Sequence, residues 1–413
     1  MASIRLKHNI FIFFIFLTFF NLLVFSYCID YFDATDHNVK RQVNCPLVTD
    51  DSSKYSKRKF AYENNEPKLQ IVDFHCDASK EICSNVENTF LKAGNIISEI
   101  ILLKNPLLVS VNYTNICLSE PKLCNIQGKI AIIGAAHSAR NMLFLDDDGL
   151  TRFYPQSLVK QYELDNHPEF APFDIIATFN SLVNWKFPSD YDTPIQPKQI
   201  DMLYIVLHEL MHGLGFGSSW ENWFLTDNPN QIFITSQPDF IASNTETIFN
   251  GFKETAFDRQ LIFNNDYTHL TDITIKLNQF AKPNTKFKNN TDLIVNFINS
   301  KQVVLSEYMN KISTTPNTIS SYPKSCNAPD RAILETTIEP FRNGASISHF
   351  DQSYITTPDF LMTTLQVPGK TLYDLVRQSG GIHPIGPKLQ SILECIGYET
   401  KRNPTPYRPK LYP

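Results

Sequence analysis

The chain has 413 residues, 37 lysines and arginines against 42 aspartates and glutamates, and a formal net charge of -5. This length suffices for a full hydrophobic core in one large or two modest domains. The weakly acidic balance excludes nucleic acid as the main partner.

The first 27 residues predict a secretory signal peptide. Arg5 and Lys7 precede an apolar block from Ile10 to Phe25 that is relieved only by Thr18 and Asn21, and Ser26 stands near a plausible cleavage point. An uncleaved signal anchor is the alternative, but the block is short for a bilayer span and no later segment reads as a membrane helix. The eight cysteines agree with export into an oxidising compartment: no CxxC pair occurs, so they read as disulfides, with one odd thiol if Cys28 leaves with the signal. Two acceptor sequons begin at Asn112 and Asn289, adding a weak signal of glycosylation. Residues 28–67 are polar and irregular and read as an N-terminal arm or pro-region, with Lys40-Arg41 as a dibasic processing hypothesis.

Ordered elements begin with "KLQIVDF", which alternates and is β-prone. From about Ser79 to Leu103, the residues Ile82, Val86, Phe90, Ala93, Ile97 and Ile100 lay one apolar stripe along a helix. "LLVSVNYTN", "KIAIIGAA" and "FDIIATFNS" read as three further strands, the last two separated by a short helix over "YPQSLVKQY". A helix follows that opens near Pro197 and is closed by Gly213 and Gly215. The class implied is α+β, helices on a mixed twisted sheet. Residues 221–343 shift toward Asn, Thr, Lys and Phe and read as a long insertion, after which 344–413 form an irregular and helical C-terminal portion.

The chemistry is concentrated in "LYIVLHELMHGLGFGSSW". His208 and His212 are four apart on a helix, so both imidazoles reach one ion at about 2.0–2.1 Å. Glu209 is turned off that face, where its carboxylate can act as general base on a water that zinc makes acidic. A helix so apolar all round is buried, and leaving Glu209 unpaired there without a task would be costly. A catalytic zinc needs a third protein ligand. The short form HExxHxxGxxH would supply it at position 218, which is Ser218. The residues alone leave His269, His349, His383, Asp239 and Glu254 open.

"HELMHGLGF", followed far downstream by "SHFDQSYITTPDFLM", resembles the leishmanolysin-like branch of the metzincin zinc metallopeptidases and related secreted microbial HExxHGLGF peptidases. The resemblance is sharp at those two motifs and looser from about Leu69 to Tyr398. It implies a metzincin-like catalytic domain split between 68–220 and 344–413, His349 as third ligand, and Met362 as the methionine of a turn beneath the metal. It also implies that "FDIIATFNS" borders the cleft, where an extended substrate could pair with it. Phe350 and Phe360 depart from the tryptophan and glutamate common in that family. Asp351 is a candidate to orient a ligand imidazole, with a solvated turn as its ordinary reading, and His137 and His167 read as structural.

The expected protein is a secreted zinc-dependent endopeptidase acting on protein or peptide substrates. Its expected cofactor is one zinc ion, and no stable membrane association is expected after signal cleavage. The rivals are a non-catalytic binding protein of the same fold and a zinc aminopeptidase with a carboxylate ligand.

Overall fold

A computed structural model describes residues 27–36, 38–49, 67–119, 121, 132–226, 228, 231–243, 245–322 and 331–412. Most of the signal-like leader, the Lys57-Arg58-Lys59 cluster, Cys124, Cys326 and the start of "KIAIIGAA" lie outside them. The described chain is α+β, and its strands fall mainly into an eight-stranded and a four-stranded sheet.

The elements that position the site are, in chain order, strands β1 (Tyr27–Tyr31), β2 (Lys40–Asn44) and β3 (Leu69–Cys76), helix α1 (Lys80–Ile100), and strands β4 (Leu107–Thr114), β5 (Gly134–Ser138), β6 (Arg140–Leu145), β7 (Thr151–Pro155) and β8 (Ile175–Asn180). Helix α2 (Met202–Gly213) follows, then β9 (Gln237–Ala242) and β10 (Thr247–Thr255). The small sheet runs β3-β4-β8-β5, parallel until the last pair, where β5 lies antiparallel to β8 at the edge. The main path of the large sheet runs β9-β10-β7-β6-β1-β2. Only Ala139 separates β5 from β6, so the chain steps from one sheet to the other beside the site.

Helix α1 begins one residue past Ser79, whose hydroxyl accepts from Ile82 N, and it buries the predicted stripe at Val86, Phe90, Ala93 and Ile97. Helix α2 does not open at Pro197. Its N-cap is Asp201, which accepts from Tyr204 N and, through its other oxygen, from Leu372 N at 2.9 Å. An acceptor for the orphan amides of the first turn decides the start over a proline that only presets φ. Of the two closing glycines, Gly215 has φ +97, the left-handed region expected of it. Gly213 serves a different purpose: a Cβ there would lie 2.5 Å from Ile175 Cγ2, so its lack of a side chain lets α2 press on β8. Gly213→Ala is expected to cost about 1–3 kcal/mol by overpacking, measured as a lower urea midpoint.

Two expectations need correction, and one pair of strands had no expectation at all. Residues 27–49 are not an irregular arm: β1 pairs with both β2 and β6, and Cys28 is bonded to Cys45. The strand that buries Cys28, Ile29 and Tyr31 shows no clean alternation and lies where the leader's apolar text runs into polar residues, which hid it. Strands β6 and β7 form a hairpin the sequence reading passed over, turning at "DDDG" with Gly149 at φ +80. The stretch 221–343 is built into the large sheet through β9 and β10, with a cluster of Phe224, Phe249, Phe252 and Phe297 beneath its polar text. A second described disulfide joins Cys76 and Cys83. Among the described residues, no helix is long and apolar enough to cross a membrane.

Candidate metal centre

His208 and His212 project from α2, one turn apart, toward His349 on the distant segment that follows 221–343. The Nε2 atoms of His208 and His349 lie 3.1 Å apart, and those of His212 and His349 lie 3.3 Å apart. Ligands about 2.0–2.1 Å from a tetrahedral ion stand about 3.3 Å from one another, so the three nitrogens fit a single metal of that size.

The other ring nitrogen of each histidine faces a backbone carbonyl: His208 Nδ1 lies 2.6 Å from Leu361 O, His212 Nδ1 2.6 Å from Phe216 O, and His349 Nδ1 3.1 Å from Ala345 O. A carbonyl can only accept, so Nδ1 carries the proton and Nε2 keeps the lone pair a metal needs. Burial pushes the imidazole of His208 down to about 4 and that of His349, also facing His208, down to about 3. Both rings are therefore neutral at physiological pH.

The segment carrying His349 is held from several sides. His349 O accepts from Glu335 N at 2.9 Å, and Ile347 donates its N–H to Glu335 O at 2.8 Å from a left-handed φ of 65. A buried β-branched residue at that φ costs on the order of 1–3 kcal/mol and persists where the surroundings impose it. Ser218 fixes the segment from the other side, donating its N–H to Ser348 Oγ and its hydroxyl to Asp258. The turn Phe360–Met362 supplies the carbonyl on His208, and Met362, fully buried, accepts from Phe350 N at 2.8 Å. Asp351 does not orient an imidazole; its carboxylate accepts from Ser353 N in the next turn.

The other ligand candidates lie elsewhere. Asp239 is hydrogen-bonded to the Tyr27 hydroxyl, Glu254 pairs with Arg152 at 3.0 Å, His383 lies 3.3 Å from Glu99, and His269 is exposed. A carboxylate third ligand is thus absent among the described residues of this cluster.

Glu209 is buried, and its Oε2 accepts from Ala136 N at 3.0 Å. Burial pushes its carboxyl up to about 8, countered in part by that amide. A cation held by the three imidazoles would offset that burial and favour the ionised carboxylate, the form that can take a proton and later return it. Glu209 and the three histidines open onto a cleft of about 610 Å³. The strand bordering it is β5, not Ile175–Asn180, which is enclosed between β4 and β5. Sequence alternation marked both as strands, but nothing local told which was outermost.

The chain is similar to the uncharacterized protein PB7E8.01 of Schizosaccharomyces pombe, with 27% identity over 386 residues, covering 85% of this chain and 65% of that protein. It thus spans less than two thirds of that relative's length. A family model described as SPBPB7E8-like matches residues 26–412. No solved structure matches.

Proposed function

We propose that this chain, which belongs to the SPBPB7E8-like family, is a secreted zinc-dependent peptidase of metzincin-like design, related in its site to the leishmanolysin-like branch. The observation that carries the reading is the convergence of His349 on the helical pair, from 137 residues beyond His212, with all three Nδ1 atoms committed to carbonyls. A structural cluster of histidines has no need to present three lone pairs to one point beside a buried glutamate.

His208, His212 and His349 would hold the zinc ion, which supplies polarisation of a substrate carbonyl and acidification of the attacking water. Glu209, held by Ala136 N, takes the proton of that water and returns it to the amine released when the peptide bond breaks. The edge of β5 offers backbone groups with which an extended substrate can pair.

The test is zinc content together with release of new amino groups from casein, with and without a chelator. Wild type is expected to hold one zinc ion per chain and to lose turnover on chelation. His349→Ala is expected to weaken zinc binding by at least about 100-fold, since two imidazoles then remain. Unchanged zinc affinity in that variant would move the third ligand elsewhere, and turnover indifferent to chelator would end the metallopeptidase reading.

A further inference from the structure

Residues 31–36, leading from β1 into the hairpin loop toward β2, lie across the outer side of β5. Tyr31 N donates to Ala139 O at 2.9 Å, His137 Nε2 lies 2.7 Å from Asp33 O, and the Tyr31 and His137 rings meet edge-on at 4.8 Å. Asp33 is fixed in turn, its carboxylate accepting from both the N–H and the hydroxyl of Thr35. Ala34 is buried, in one cluster with Ala139, Leu143 and Phe153. Tyr31, Ala34 and Thr35 line both the cleft and a second groove of about 570 Å³ beyond it, so this stretch forms the partition between the two.

Ala136 sends its N–H to Glu209, away from β8. With the antiparallel alternation, the outward-facing backbone groups of β5 are those of Gly134, Ala136 and Ser138. Ser138 O is already met by His137 Nδ1 at 2.9 Å. Among the described residues, the edge left open to a substrate is therefore that of Gly134 and the Ala136 carbonyl, and it ends at residues 33–35. Antiparallel addition is the more stable pairing, and it points the substrate's amino end toward Ser138. At about 3.3 Å per residue, a strand whose reacting carbonyl sits by Glu209 and Ala136 meets the partition about two residues toward its amino end.

We infer that residues 31–36 act as a length stop that restricts this protein to substrates whose chain ends within about two residues on the amino side of the bond cut, short peptides or the trimmed ends of longer ones. This rests on the peptidase reading and refines the endopeptidase expectation into an end-directed activity.

The test uses one peptide core extended stepwise at either end, with the amino end free or acetylated. Cleavage is followed by mass spectrometry, and binding to zinc-loaded Glu209→Ala by fluorescence anisotropy. Carboxyl-side extension is expected to change kcat/KM by less than about 3-fold, and acetylated extension by three or more residues on the amino side to lower it by at least about tenfold, as a steric block does. Replacing residues 33–38 by Asn-Gly, a two-residue turn suited to a hairpin, is expected to abolish the discrimination. His137→Ala, which frees Asp33, is expected to weaken it and serves if the shortened loop does not fold. Equal cleavage and equal binding of long and short peptides carrying the same end group by the wild type would overturn the length stop while leaving the peptidase reading intact. Length-dependent binding with no turnover of any peptide would do the reverse.

Discussion

Glu209→Gln is expected to lower peptide turnover about 10²–10⁴-fold, the usual worth of a positioned general base, while zinc content stays as in the wild type. The amide keeps the shape of the side chain and can still accept from Ala136 N, so the helix and the three imidazoles keep their places. What is lost is the oxygen that takes a proton. Among the described residues one other carboxylate lines the cleft, that of Glu335, and its Oε1 accepts from the amide and hydroxyl of Thr337. Steady-state kinetics on zinc-loaded protein, with metal content measured on the same samples, checks the prediction. Turnover within a few fold of wild type would mean that Glu209 is not the base.

The second large effect concerns stability. Arg152 is almost wholly buried and pairs with Asp146 at 2.7 Å, Asp148 at 2.8 Å and Glu254 at 3.0 Å. Asp146 also accepts from Tyr154 and Tyr407, and Glu254 from Thr271 and Thr274. Glu254 is buried enough that desolvation raises its carboxyl above the usual range, against the pull of the guanidinium. Arg152→Met removes the cation and leaves two buried carboxylates facing each other's surroundings. The expected cost is about 3–5 kcal/mol, the penalty for breaking rather than replacing a buried ion cluster. Urea denaturation followed by tryptophan fluorescence reads it directly, and a midpoint within experimental error of wild type would contradict it. The loss should be felt on both sides of the β7–β10 pairing, because Arg152 sits on one strand in register with Glu254 on the other.

The contrast between what the sequence disclosed and what it withheld has a physical basis. The helical spacing of His208 and His212 is a local signal, set by one turn of backbone, and the stripe of α1 is another. The role of His349 rests on a contact across 137 residues, and no periodicity encodes it; only the likeness of its surroundings to a known motif singled it out among five candidates. The carbonyls of Leu361, Phe216 and Ala345 could not have been read at all, since every residue has one. The order of strands was hidden for a similar reason. "FDIIATFNS" and "KIAIIGAA" are alike in composition, and which lies at the edge depends on where the chain goes next. The hairpin at "DDDG" went unread although its glycine and acidic turn lie between two β-prone runs, and the aromatic core of 221–343 was masked by the asparagine and lysine around it.

Cys28 and Cys45 stand on either side of Lys40-Arg41, bonded to each other across 17 positions. A convertase that cut between the two basic residues would thus produce a nicked molecule, not a shortened one. On a gel, the small piece would come away only in the presence of a thiol. Any maturation scheme that relies on shedding this end must therefore couple two separate events, hydrolysis of one bond and reduction of another, and neither alone would expose the ground that residues 31–36 occupy.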